Sequence, residues 1–320
     1  MKVILTGASS FTGYWFVEAL STAGHEVTAT LSGADSSGAY ESTRRVRLDR
    51  LRKVCNLIFD ASFGSRRFLE VIAESGKIDV LCHHWAEVRD YRSANFDALA
   101  ALGKNTKAIE SVLQALVRAG GQSFVLTGSV FEPGEGAGNL PMRAFSPYGL
   151  SKGLTASVCA YNCERVGVPL RKFVIPNPFG PLEEARFTDY LMRTWFSHRT
   201  ASVTTPAYVR DNIHVSLLAM AYAAFVAGKG KFSGDHLGPI GYAETQGAFA
   251  ERMARECRTR LGLECDLELR PQTEFPEPLI RTNRDWVDRK ALGWCENDAW
   301  NEFASYYQEK YTGHQTKSDL

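Results

Sequence analysis

The opening of the chain admits few folds. Lys2-Val3-Ile4-Leu5-Thr6 is a short apolar run, followed by the glycine-bounded turn Gly7-Ala8-Ser9-Ser10-Phe11-Thr12-Gly13. Tyr14 to Ala23 has a helical pattern, Gly24-His25 breaks it, and Glu26 to Leu31 alternates as a strand does. Strand, glycine turn, helix, strand is a βαβ unit, which requires a parallel sheet with a helix laid across it. The turn leaves free N–H groups at the positive end of a helix, where a dinucleotide pyrophosphate can sit. Glycines between a first strand and a first helix are a stronger signal than the same glycines elsewhere.

The alternation continues. Strands are predicted at Val54 to Phe59, Ile78 to His83, Ser123 to Leu126 and Leu170 to Ile175. Helices are predicted at Gly64 to Ser75, Phe96 to Ala119 and Pro147 to Val166. In the second of these, Leu99, Leu102, Ile109, Val112, Leu113, Leu116 and Val117 are expected on an apolar side, and Gly120-Gly121 ends the helix. Strands alternating with helices give an α/β fold, a Rossmann-type doubly wound parallel sheet covered on both faces. Ligands of such sheets bind beyond the carboxyl ends of the strands. Gly7, Asp60, His84, Thr127 and Asn177 all fall at or just past such ends.

Ser146-Pro147-Tyr148-Gly149-Leu150-Ser151-Lys152 reads as a turn entering a helix, with Pro147 suited to the first helical turn. Tyr148 and Lys152 are four apart and share a helix face. An ammonium near a phenol favours the phenolate and lowers the tyrosine pKa, which makes a proton-transfer group.

After Asn177 the pattern changes. Pro176-Asn177-Pro178-Phe179-Gly180-Pro181 is a rigid loop, and Pro271, Pro276 and Pro278 interrupt the C-terminal third of the chain. Residues 1–176 are expected to form the dinucleotide-binding domain, with 207–232 packing back onto it through a helix from Asn212 to Ala227. Residues 177–206 and 233–320 are expected to form a smaller mixed α/β substrate domain. Its final helix is predicted from Trp286 to Tyr311, and the polar tail after Gly313 is expected to fray.

Composition excludes several classes. The formal charge of +1 implies no nucleic acid or other polyanion partner. No apolar run reaches membrane-spanning length, and the first residues are too short for a signal-peptide core. The seven cysteines are scattered, with no Cys-x-x-Cys pair and no set of zinc ligands, so no metal is expected. They are read as reduced and mostly buried, which points to the cytoplasm.

In this order the motifs resemble the extended short-chain dehydrogenase/reductases, the nucleotide-sugar epimerase/dehydratase group, over nearly the whole chain. Thr6 to Gly13 is similar to the family's TGxxGxxG turn, and His84-Trp85-Ala86 to its HxAA strand end. Asn105-Thr106 resembles the helix Asn of the active-site relay. Leu126 to Phe131 resembles the catalytic Ser/Thr strand end, and Tyr148 to Lys152 matches YxxxK. Pro176 to Pro181 resembles the substrate-loop Asn motif, and Val209-Arg210-Asp211-Asn212-Ile213-His214-Val215 resembles RDxxHV. Arg270-Pro271 and Ala291-Leu292-Gly293-Trp294 resemble the C-terminal signatures.

The resemblance implies that Thr127, Tyr148 and Lys152 are catalytic. Tyr148 moves a proton at a sugar oxygen, Lys152 lowers its pKa and holds the nicotinamide ribose, and Thr127 hydrogen-bonds the reacting oxygen. Thr127 is preferred to Ser129 because it stands five residues before the position usually occupied by Gly, here Glu132. The implied cofactor site comprises Gly7, Ser10, Phe11, Thr12, Gly13, Ser32, Asp60, Ala61, His84, Trp85, Ala86, Asn105, Tyr148, Lys152 and Pro176. The implied nucleoside-diphosphate-sugar site comprises Glu87, Thr127, Ser129, Asn177, Phe187, Arg210 and Arg270, with Arg210 at the diphosphate. Related proteins pair the helices 96–119 and 147–166 with their copies, so a homodimer is expected.

The chain departs from the family pattern in three places. Ser10 replaces the middle glycine of the turn, either crowding the pyrophosphate or adding a phosphate contact. Strand two ends Thr30-Leu31-Ser32-Gly33 without an acid, which permits a 2′-phosphate and favours NADP over NAD, with Arg44 or Arg45 in reach. Gly128-Ser129 follows Thr127 where 4,6-dehydratases carry Asp-Glu, which disfavours dehydration. No Cys/His pair of the 3,5-epimerising reductases is visible, and Cys159 and Cys163 are read as core residues of a helix. The expected activity is a 4-epimerase. The alternatives are an NADPH-dependent keto-sugar reductase and a non-catalytic dinucleotide sensor.

Overall fold

The computed structural model describes residues 1–35, 42–138, 142–228 and 232–313. The tail after Gly313 lies outside the described residues. The chain opens with β1 (Lys2–Thr6), α1 (Phe11–Thr22), β2 (Glu26–Thr30), α2 (Ser42–Leu51), β3 (Asn56–Ile58), α3 (Arg66–Glu74) and β4 (Val80–His83). It continues with α4 (Ala98–Asn105), α5 (Ile109–Arg118), β5 (Ser123–Ser129), β6 (Ala137–Gly138), α6 (Pro147–Val166), β7 (Leu170–Ile175) and β8 (Asn177–Phe179). Then come α7 (Phe187–Phe196), β9 (Ala201–Val203), β10 (Val209–His214), α8 (Val215–Ala227), β11 (His236–Leu237) and β12 (Tyr242–Thr245). Last are α9 (Gln246–Leu261), β13 (Leu267–Leu269), β14 (Ile280–Thr282) and α10 (Glu296–Thr312).

The central sheet is parallel, in the order β11-β7-β5-β4-β1-β2-β3. The expected doubly wound α/β fold is therefore present. The order reverses between β1 and β4, which opens a crevice at their carboxyl ends. Alternation feeds two cores: Val3 and Leu5 enter one with α1 and α8, while Ile4 enters the other with α3, α5 and α6. A smaller mixed sheet, β12-β10-β14-β6 with β8 beside β10, stands next to it. The aromatic cluster of Phe179, Trp195, Phe249, Trp300 and Phe303 forms a third core beneath α7, α9 and α10.

Several expected boundaries move. The helix predicted from 96 to 119 is two helices, because Ala108 takes a left-handed φ of 49° between α4 and α5. Leu99 and Val117 face outward, 71% and 45% exposed. Asn212 to His214 belong to β10, and only Val215–Ala227 is helix. Trp286 to Cys295 precede the last helix in turns. Residues 42–51 form α2, where the sequence shows no apolar period because half of the helix is charged. The two sheets share chain segments: β6 joins the second sheet, and β11 adds an edge to the first. Cys159 and Cys163 are buried core residues, as expected. Among the described residues no helix is long and apolar enough to cross a membrane.

Candidate active site

The glycine turn is built by close contact. Gly7 has φ +83°, and a Cβ there would lie 2.9 Å from the Trp85 backbone. A Cβ on Gly13 would fall 2.2 Å from the Gly7 carbonyl, so only glycine lets α1 approach β1 this closely. In the first turn of α1 the Gly13 N–H is capped by Ser10 Oγ at 3.1 Å, whereas Phe11 and Thr12 have no helical carbonyl to bond. Thr6, Gly7, Thr30, Ser32, Ala61 and Trp85 line a small crevice beside the turn, and Thr30 Oγ1 is buried there without a partner among the described residues. Free helix-end donors and an unpartnered hydroxyl beside a tightly drawn glycine turn suit a dinucleotide.

Ser10 stands at the N-cap of α1. Its hydroxyl turns inward, donating to Gly7 O at 2.9 Å and meeting His84 Nε2 at 3.1 Å. An N-cap position aims a short hydroxyl back at its own helix rather than out at a ligand. Asp60 lies exposed at the end of β3 with φ 55°, and the next residue, Ala61, is buried and bonds Leu31 O at 2.8 Å. Arg45, one of the two arginines in reach of a 2′-phosphate, is committed to Asp35 at 3.1 Å.

The strand ends are stitched by two histidines. His83 Nδ1 meets Thr6 Oγ1 at 3.0 Å and its Nε2 meets Asn105 O at 2.9 Å, with Phe63 stacked on the ring at 3.8 Å. Thr6 Oγ1 also accepts from the His84 and Trp85 N–H groups at 3.1 and 3.0 Å. His84 reaches the other way: Nδ1 meets Thr127 Oγ1 at 3.1 Å and Nε2 meets Thr12 Oγ1 at 3.0 Å. Burial pushes both imidazoles down to about 3, so both are neutral. Asn105 is fully buried, accepts from Glu87 N at 2.8 Å and donates to Thr155 on α6 at 3.1 Å.

Ser146 caps α6 by accepting from Gly149 N, and Pro147 stands in its first turn. That presents Tyr148 and Lys152 to the end of β5. Lys152 Nζ donates to the Thr127 carbonyl at 2.6 Å, and both residues are buried. Tyr148 is surrounded by the rings of Tyr91 at 5.3 Å, Phe96 at 6.1 Å and Phe131 at 6.4 Å. The expected lowering of its pKa is not what this surrounding does. Burial raises the phenol well above its ordinary value, the Glu132 carboxylate and Tyr91 add to this, and Arg186 and Ser129 oppose it. The Lys152 ammonium is engaged with the Thr127 carbonyl instead, and burial lowers its own pKa. Ser129 Oγ accepts from Phe131 N at 3.3 Å and also touches the Tyr148 phenol.

In the sequence Glu132 stands out only by occupying a glycine's place. It is buried, accepts from Ser129 N at 2.7 Å and pairs with Lys172 at 2.5 Å. Lys172 continues to Glu135 at 2.6 Å, and Glu135 to His236 at 2.9 Å. Gly128 leaves room for this chain of charges, since a Cβ there would lie 2.7 Å from Lys172 Cε.

The substrate side is assembled only in part. Pro176 and Asn177 lead into β8, where Asn177 is paired in register with Asn212 of β10. Phe187 opens α7 and packs against the third core. Arg210 stacks on Tyr208 at 4.3 Å and pairs with Glu277 at 2.9 Å. Arg270 does not join it: β13 pairs with β9 in a separate small sheet, and the exposed guanidinium is held by Glu268 at 2.9 Å and Ser202 at 3.2 Å. Glu87 is likewise committed, to Lys104 at 2.7 Å. The arginine that does stand beside Arg210 is Arg281 of β14. A charge inside the apolar run Leu279-Ile280-Arg281-Thr282 is the signal that could have found it. Arg47, also missed, is fully buried and bonds Ser9 O at 2.6 Å, Leu182 O at 3.1 Å and Glu184 at 2.7 Å.

A sequence model described as the NAD dependent epimerase/dehydratase family matches residues 3–233. No curated protein matches significantly. Among solved structures, a variant of UDP-glucuronic acid 4-epimerase from Bacillus cereus, in complex with a fluorinated UDP-glucuronic acid and NAD, superposes with TM-score 0.73 at 16% identity. That match covers 97% of this chain and 100% of the other. UDP-glucose 4-epimerase from Thermotoga maritima gives 0.71 at 16% identity, covering 97% and 99%. dTDP-glucose 4,6-dehydratase from Streptomyces venezuelae gives 0.68 at 17% identity, covering 98% of each chain. At these identities the likeness shows the fold.

Proposed function

The chain belongs to the NAD dependent epimerase/dehydratase family, a family of enzymes, and we propose that it is a nucleotide-sugar 4-epimerase. The observation that carries this reading is the bond from Lys152 to the Thr127 carbonyl at the end of β5, with Tyr148 one helical turn before Lys152 and in contact with Ser129, and with Gly128 and Ser129 following Thr127 in place of acids. Those residues move a proton at a carbinol oxygen but supply no acid–base pair for expelling water. NAD or NADP, bound along the turn from Gly7 to Gly13, would supply the taking and return of a hydride. In an epimerase cycle Tyr148 would take the carbinol proton as hydride leaves and give it back to the ketone oxygen as hydride returns, and its raised pKa favours the protonated form that serves the second half. Lys152 fixes the Thr127 backbone, and His84 fixes the Thr127 hydroxyl beside the reacting oxygen.

The substrate is a nucleoside-diphosphate sugar, in keeping with the UDP- and dTDP-sugar enzymes that share the fold. Asn177 and Arg210 are assigned to it. The outward Leu99 on α4 with Leu150 and Tyr161 on α6 supports a homodimer through these helices. The enzyme is assigned to the cytoplasm.

A second reading, NADPH-dependent reduction of a keto sugar, is favoured by one feature. No acid follows β2 closely, and the nearest, Asp35, is held by Arg45 and Arg52.

Nucleotide extracted from the purified protein separates the readings. Co-purified nicotinamide, with no net redox change on adding UDP- and dTDP-sugars, is the expected result. Empty protein that consumes NADPH only with a keto-sugar nucleotide would replace the epimerase by the reductase. Nicotinamide bound but turned over with no substrate would leave the dinucleotide sensor, and failure to bind nicotinamide at all would overturn all three readings.

A further inference from the structure

Arg281 is a buried cation without an acid. It is 1% exposed. Its Nη2 donates to Arg143 O at 2.9 Å, and among the described residues its Nη1 meets only the thioether of Met142, at 3.7 Å. Its Nε is buried with no partner among the described residues. The ring of Phe145 covers the guanidinium at 5.0 Å. Among the described residues no carboxylate pairs with it, whereas its neighbour Arg210 is neutralised by Glu277 at 2.9 Å.

A guanidinium cannot shed its proton to escape burial, so an uncompensated one is costly. A sulfur and a single carbonyl are a thin set of acceptors for a group with five N–H donors. The location bears on what could complete the set. β14 runs parallel to β10 with Arg210 and Arg281 in register, so both side chains leave the same face of the sheet. The segment from Met142 to Phe145 that covers Arg281 leads directly into Ser146 and Tyr148. Phe145 meets Phe131 at 5.4 Å, and Phe131 meets Tyr148 at 6.4 Å, so Arg281 stands behind two rings from the candidate catalytic phenol.

We propose that Arg281 is an anion subsite of the active-site cleft that takes negatively charged oxygens of the nucleotide sugar, with Met142–Phe145 as the cover that parts to admit them. This rests on the nucleotide-sugar reading above. The oxygens belong either to a phosphate of the diphosphate or to a carboxylate on the sugar. A planar fork of donors suits both.

The test titrates the full-length protein with pyrophosphate, glucose 1-phosphate and glucuronic acid 1-phosphate, reading Kd by calorimetry and stabilisation by thermal unfolding. If the oxygens are phosphate, pyrophosphate and glucose 1-phosphate bind, and Arg281→Met weakens both by about tenfold to a hundredfold. If they are carboxylate, glucuronic acid 1-phosphate binds more tightly than glucose 1-phosphate, and Arg281→Met abolishes that difference alone. Arg281→Lys keeps the charge but loses the fork, and is expected to fall between wild type and Arg281→Met. Should Arg281→Met not fold, Arg281→Lys carries the comparison, with a severalfold weaker Kd expected and an unchanged Kd overturning the proposal. Two other results overturn it. In one, no anion stabilises the wild type. In the other, Arg281→Met keeps wild-type Kd values and only unfolds at lower temperature, which would make Arg281 a fastener of the covering segment. Nicotinamide extraction does not depend on Arg281, so the family-level reading and this one fail separately.

Discussion

His84 Nδ1 lies 3.1 Å from Thr127 Oγ1, and its Nε2 lies 3.1 Å from Ser10 Oγ. The Ser10 hydroxyl proton faces Gly7 O at 2.9 Å, and Thr12 Oγ1 stands 3.0 Å from the same Nε2. One neutral ring thus ties the dinucleotide turn to the candidate catalytic threonine.

His84→Ala removes both ends of this tether, and turnover is expected to fall at least about tenfold. Acid stability gives a second readout. The folded pKa, about 3, lies below the ordinary histidine value of 6.5, so the unfolded chain binds the extra proton between them. Stability from the neutral ring is complete above the upper value and is lost as pH falls toward the lower one. The variant should lose less stability than wild type between these values in urea unfolding. An equal loss would contradict a neutral buried ring.

Glu183 has the opposite sign. Burial raises its carboxyl to about 7 from 4.5, although Thr188 and Tyr307 hydrogen-bond it. The folded state keeps a proton that the unfolded state gives up, so stability falls as pH rises through that window. Glu183→Gln should match wild type in mild acid and exceed it above neutrality. Melting temperatures measured across the range decide this.

Gly128→Ala places a methyl 2.7 Å from Lys172 Cε and 3.1 Å from Glu132 Oε1. Both belong to a buried ion pair that cannot move freely. A loss of about 1–3 kcal/mol is expected from overpacking. Activity should fall as well, since Thr127 and Ser129 flank the glycine. Unfolding and turnover of one preparation test both, and wild-type values for both would show that the pair can shift.

Arg47→Met strips the bonds to Ser9 O, Leu182 O and Glu184, and leaves a carboxylate without its cation. A cost of about 3–5 kcal/mol is expected for breaking a buried pair. Ser9 lies in the dinucleotide turn and Leu182 follows β8, so nicotinamide affinity should weaken too. Fluorescence titration with NADH beside denaturant unfolding checks the two effects.

Tyr148→Phe removes the phenol while keeping the ring within the cage of Tyr91, Phe96 and Phe131. Turnover should drop by about a hundredfold to ten-thousandfold with nicotinamide binding unchanged. Single-turnover assays on the substrate found by the nucleotide-sugar screen measure it, and a nearly active variant would remove Tyr148 from the chemistry.

The sequence by itself determined the parallel sheet, because alternating periods and the glycine turn between Lys2 and Leu31 leave a βαβ unit no other way to pair. It also determined that Tyr148 and Lys152 share a face, since four residues make about one helical turn. Only the tertiary structure decided which way a polar side chain turns at a strand end. Ser10 and His84 could have faced a ligand, and instead face each other across β1 and β4. Arg270 and Arg281 carry the same charge and lie eleven positions apart in sequence, yet one is exposed beside Glu268 and the other is buried beside Arg210. That choice depends on which strands become neighbours, and spacing along one strand carries no information about its partner. The rise of the Tyr148 pKa was hidden for the same reason. Its causes, burial and Glu132, come from packing of separate segments and not from the helix that carries the tyrosine.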